Sequence, residues 1–204
     1  DMEYYTSKES FPPMLFTPDG SFPVINIEKG MIRLGITGEY ETFGKTLVSL
    51  VGGSVANAVP ERAMAVIMGF EKDDIEKLCG EYQPDGIIFT VEKSDNNTIC
   101  IKSKGRGAHA STPEQGKNAL TALIKLLSQL DFDGDVSDKL RAMAKLYPYG
   151  DSEGKGIGVS CRDELSGGLT LVLSLADCKE GHLDFMTDCR FPVCRTSGDI
   201  ISLM

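Results

Sequence analysis

The stretch KGRGAHASTPEQGKNAL, residues 104–120, constrains the chain more than any other. Gly105, Gly107, Ala108, Ala110 and Ser111 crowd around His109, one of two histidines in the protein. Glycine permits unusual backbone angles and close approach of a second surface. A loop this small and polar makes poor core and a good platform for a side chain that must reach outward. Pro113 and Gly116 lead straight into a run with apolar residues at 119, 120, 123, 124, 126, 127 and 130. That spacing predicts a helix over 118–130.

Strand-like text surrounds this loop and helix. Residues 24–28 and 31–38 read as strands, as do 47–51 and 63–70. So do 86–92 and 98–103, rich in Ile, Val and Thr, with Ser94 to Asn97 as the hairpin turn between them. Further strands are expected over 157–162, 169–177 and 182–191, the last two joined by a turn at Lys179-Glu180-Gly181. Helices are expected over 71–82, where Ile75, Leu78 and Cys79 share a face, and over 136–147. Tyr4 and Tyr5 fall in a short helical or turn segment, and Ser197 is expected to cap a final helix. Residues 10–23 carry four prolines and Asp19-Gly20, the text of an extended loop. Hairpins alternating with amphipathic helices predict an α+β fold with helices on one face of an antiparallel sheet. The expected division is an entry segment over 1–23 and two α/β sandwich subdomains of ferredoxin-like type, 24–95 and 96–204.

Composition narrows the function. The net charge is −9 and no basic stripe offsets it, so the bulk field repels nucleic acid. No apolar run reaches the roughly 18 to 20 residues of a membrane helix, and no charged-apolar-small pattern opens the sequence. Six cysteines without a C-x-x-C pair sit mostly in strand-like text. Buried free thiols in a reducing cytoplasm are the expectation.

Four residues invite a functional reading, each beside a plainer one. Asn57, in GGSVANAVP, can be a turn residue bonding its own backbone or an amide offered to a ligand. His109 can be an ordinary loop histidine or a presented hydrogen-bond donor. Arg190 can pair with Asp188 or Asp184, or grip a carboxylate with its fork. Gly168, after Gly167, can be a simple turn or a point where backbone approaches a substrate. His182-Leu-Asp184 imitates a metal motif, yet a catalytic zinc needs about three protein ligands plus water, and no second histidine or acidic cluster accompanies it. No metal ligand is assigned.

Read together, these motifs resemble a family. G-x-G-A-H-A-S-x-P-E-x-G-x-N-A at 105–119, the G-G-x-x-x-N-x-V-P around Asn57 and the D-x-R-x-P around Arg190 are similar to the lid motifs of zinc metallopeptidases typified by dipeptidase V, carnosinase, acetylornithine deacetylase and carboxypeptidase G. FTPDGSFPVINIEKG resembles the entry into that lid. The resemblance implies that His109 donates to the oxyanion formed when water attacks the peptide carbonyl. It implies that Asn57 and Arg190 bind substrate, a dipeptide or N-acyl amino acid, and Gly168 is kept beside them as a substrate-binding candidate. It covers only the lid: the metal-binding catalytic domain of the family, with its zinc and general base, has no counterpart here. The chain is therefore expected to be a piece of a longer enzyme, without cofactor or activity of its own. Asn57 precedes His109, the order of the enlarged two-part lid of dipeptidase V, which implies a parent able to work as a monomer. A free-standing ligand-binding or dimerisation module, or the lid of a related deacylase, are the competing readings.

Overall fold

Alternation of apolar and polar residues gives each main strand one inward side. The computed structural model describes residues 2–10, 25–94 and 97–204 and shows where that side goes. In chain order the strands are β1 (Gly30–Glu39), β2 (Thr46–Gly52), β3 (Ala58–Val59), β4 (Arg62–Met68), β5 (Ile88–Lys93), β6 (Thr98–Lys104), β7 (Ala108–His109), β8 (Arg162–Asp163), β9 (Gly167–Gly168), β10 (Thr170–Lys179) and β11 (His182–Phe191). The helices are α1 (Met2–Lys8), α2 (Lys72–Glu81), α3 (Ala119–Leu127), α4 (Val136–Leu146) and α5 (Ser197–Ile201).

Seven strands form one antiparallel sheet in the order β1-β11-β10-β2-β4-β6-β5. The inner face carries Leu50, Ala65, Ile67, Ile101 and Phe185, all essentially inaccessible. α3 lies against β4, β6 and β10 on that face, and α4 packs on α3. Every residue of α3 except Lys125 is buried. Asn118 starts the helix: its Oδ1 accepts from the backbone N–H groups of Leu120 (3.0 Å) and Thr121 (3.1 Å). Its Nδ2 donates to the Leu173 carbonyl at 3.0 Å, tying the cap to the sheet. Ile75 of α2 and Ile200 of α5 join the same core.

The α+β class, the antiparallel pairing and the one-sided helices agree with the sequence reading. The strands, however, close into one sheet where two were expected. β6 sits between β4 and β5, and β10 and β11 sit between β1 and β2. The two expected units thus interleave their strands.

Three smaller expectations need correction. Residues 25–28 are not a strand. β1 starts at Gly30, opposite Phe191, the last residue of β11, and the next residue, Pro192, has no N–H to extend a ladder. Residues 157–161 form turns and loop, with ladder pairing only at Arg162 and Asp163. The last helix is capped by Thr196, not Ser197, through a capping box with Asp199. Of the cysteines, Cys178 and Cys189 are buried and three are half-buried, but Cys194 is exposed. The proline-bearing segment through Val24, and Asp95-Asn96 of the expected hairpin turn, lie outside the described residues.

Candidate functional site

The His109 loop is folded onto the outer face of the sheet by its own small residues. β7 pairs with β3, opposing Ala58 to His109 and Val59 to Ala108. Ala110 and Val59 pack on Val172 of β10, a satellite apolar cluster supported at its edge by Ala108. Gly105 lets the loop turn under itself, because a Cβ there would lie 2.0 Å from the Lys117 carbonyl oxygen. The alternation Ala108–His109–Ala110 puts two small residues inward and the imidazole outward. His109 is exposed.

The imidazole is nonetheless held. Its Nδ1 lies 2.7 Å from Ser111 Oγ, and the Ser111 backbone N–H donates to the same nitrogen at 3.3 Å. A backbone N–H can only donate, so Nδ1 is the acceptor and the ring proton sits on Nε2. The outward nitrogen is therefore a donor.

Asn57 stands beside this loop. Its carbonyl accepts from Ala110 N–H at 2.9 Å. The side-chain amide, half-exposed, makes no hydrogen bond among the described residues, so the self-bonded turn role is not what it does. Its bend depends on Gly53, whose φ is +74° and whose Cβ would lie 1.9 Å from the Ser174 carbonyl oxygen.

Arg190 reaches the same end through β10. It opposes Thr170, and Thr170 Oγ1 donates to the Ala110 carbonyl at 2.9 Å. Its side chain is 20% exposed and its Nε donates to Asp188 Oδ1 at 3.0 Å. The pairing with Asp188 anticipated from sequence is present; Asp184 lies further along the strand. Gly168 is two residues from Thr170. Its carbonyl accepts from Lys29 Nζ, and its Cα side faces the Arg162 guanidinium, 3.0 Å from where a Cβ would stand. The loop holding it is tied by Asp163, which accepts from Ser166 Oγ at 2.9 Å and from Cys194 N–H at 3.1 Å. The Ser166 backbone N–H is the main cause that holds the Asp163 carboxyl down at about 2.

The structure thus ties the Asn57 backbone to the residue after His109, and sets Arg190 one strand spacing from the residue that anchors the same loop. His182 lies at the far end of β11, exposed and 3.9 Å from Glu39. Among the described residues no group of three or more His, Cys, Asp or Glu is placed to hold a metal ion. Sequence reasoning missed the contributions of Ser111, Thr170 and Val172. Only Ser111, two residues from His109, was within reach of a local argument.

Residues 97–174 match the family model of the peptidase dimerisation domain. That span includes His109 and Gly168, while Asn57 and Arg190 fall outside it. Whole-chain similarity reaches both. The chain is 31% identical over 205 residues to YtjP of Bacillus subtilis (strain 168), which carries a dipeptidase name; the match covers 96% of this chain and 43% of that protein. It is 29% identical over 203 residues to the Beta-Ala-Xaa dipeptidase of Lactobacillus delbrueckii subsp. lactis, covering 94% and 41%. The chain spans about two-fifths of the length of these relatives.

Proposed function

We propose, from the premise that this chain carries a peptidase dimerisation domain and is related to dipeptidases, that it is the lid of a zinc-dependent dipeptidase. In this reading it closes over an active site built by the rest of a longer protein. The described residues do not fit a zinc site, so the metal and the general base belong to that catalytic domain. The metal's part is to supply an activated water. This chain supplies the groups that meet the substrate, a dipeptide or N-acyl amino acid, in the cytoplasm; the six free thiols agree with that compartment.

The observation that carries the reading is the tautomer and setting of His109. As water attacks the scissile carbonyl, its oxygen gains charge. The Nε2–H of His109, outward and fixed by Ser111, is the donor for that oxygen. A donor aimed at developing charge is typically worth about 2.7 to 4 kcal/mol of barrier. Arg190 binds the free carboxylate of the substrate, and Asn57, with its uncommitted amide on the segment paired with the His109 loop, contacts the substrate between them. Gly168 lines the same end.

Steady-state kinetics on the full-length zinc-loaded enzyme test this. His109→Ala should lower kcat by about 10²- to 10³-fold, the scale of a lost oxyanion donor, with KM little changed. Arg190→Ala should raise KM for a free dipeptide and leave kcat/KM for its carboxyl-amidated analogue unchanged. A folded His109→Ala variant with undiminished kcat would refute the reading.

A further inference from the structure

Asp188 is a polar side chain with no solvent exposure on the outer face of the sheet. It lies across from Arg33 of β1 and Val172 of β10. Val172, its neighbour on β10, is itself buried under the His109 loop. Its two oxygens are used unequally. Oδ1 accepts from Arg190 Nε at 3.0 Å. Oδ2 has no hydrogen bond among the described residues and meets only Arg33 Nε, at 3.5 Å. Leaving a buried carboxylate oxygen without a hydrogen bond is destabilising. A residue serving the fold alone would be better replaced by an apolar one of similar size.

What the arrangement achieves is visible at Arg190. A guanidinium has five N–H groups in a planar fork. Asp188 occupies the Nε edge. Among the described residues the two terminal nitrogens have no partner and remain, side by side, for an end-on grip on a second carboxylate. An arginine left loose would lose much of its rotamer freedom on binding. One held at Nε by a buried anchor has lost it already.

We infer that Asp188 is a positioning residue for substrate recognition: it holds Arg190 by its Nε edge, with Arg33 balancing its other oxygen, so that the terminal nitrogens form a preset clamp for a substrate carboxylate. The inference rests on the proposed role of Arg190, and the experiment separates the two. Asp188→Asn, Arg190→Ala and the double variant are made in the full-length zinc-loaded enzyme. Each is assayed with a dipeptide and with its carboxyl-terminal amide. Asp188→Asn should raise KM for the free dipeptide about tenfold, the scale of one hydrogen bond to a charged group, and leave kcat within about twofold. The amide should be indifferent to the substitution. In the Arg190→Ala background, Asp188→Asn should add less than about twofold, because a residue acting through Arg190 has nothing left to act on.

If Arg190→Ala fails to discriminate acid from amide, the carboxylate role of Arg190 falls, and this inference with it. If Arg190→Ala discriminates but Asp188→Asn leaves KM unchanged, or keeps its full effect in the double variant, Arg190 stands and the positioning role is overturned. Should Asp188→Asn not fold, Arg190→Ala alone still decides. With Asp188 intact, added methylguanidinium should occupy the vacated place and lower KM for the free dipeptide severalfold. No rescue would overturn the inference.

Discussion

Gly53 shows how much a single position can hold. Its φ of +74° disfavours any side chain, and the Ser174 carbonyl oxygen fills the place of a Cβ at 1.9 Å. Gly53→Ala should therefore destabilise the chain by more than about 1 kcal/mol, since both conformation and space oppose it. Urea unfolding followed by circular dichroism measures this. The bend made by the paired glycines of GGSVANAVP was legible in the sequence. Its partner, Ser174 at the irregular register of β10, was not, because nothing local links residues 53 and 174. Arg190 and Asp188 show the same division. Their spacing of two puts both on one side of a strand, and the ion pair follows. That Val172, across from Asp188, lies under the His109 loop rests on the pairing of Val59 with Ala108, between two short segments that carry no strand pattern of their own.

Elements were readable where apolar residues recur at the element's own period. Strands β2, β4 and β6 alternate, and α3 and α4 show helical spacing, so residue pattern and tertiary role coincide. Residues 157–161 misled because Ile157, Val159 and Cys161 alternate as in a strand, yet Gly154 and Gly158, at φ +71° and +80°, bend the chain into loop. Val159 is buried there as a member of the main core. The cap of α3 should matter beyond its helix. Asn118→Ala should cost about 1 to 2 kcal/mol by thermal or urea unfolding, as it loses two accepted bonds and the one donated to Leu173. The loop from β8 to β9 should show its tether by titration. Asp163 is held at about 2, below its ordinary 3.8, chiefly by the Ser166 N–H. A depressed carboxyl stabilises the fold above its unfolded value, and that contribution fades as pH falls from about 3.8 toward 2. Carboxyl NMR should find Asp163 titrating near 2, and Asp163→Asn should remove that part of the acid dependence.

At the scale of the molecule, thiol chemistry reports the packing. Burial pushes Cys189 up to about 12 and Cys178 up to about 11, and desolvation does the same to Cys79, to about 11. Cys194 alone is exposed among the six. A thiol reagent at pH 8 should label one cysteine quickly in the native chain and all six after unfolding. The chain by itself should bind no zinc stoichiometrically and turn over no dipeptide, as metal analysis after dialysis and an amino-acid release assay would show. We further propose that the full-length enzyme works as a monomer, with sedimentation of the active form as the check. The strand order has a consequence in time. Among the described residues β1 has its only ladder with β11, which leaves the ribosome some 150 residues later, on the order of ten seconds at ordinary synthesis rates. Until then Ile32 and Ile36 face no strand partner, and the first edge made is the last edge closed. Nascent chains stalled before residue 182 should be cut by protease within 30–39, and protection should arrive only when His182–Phe191 has emerged.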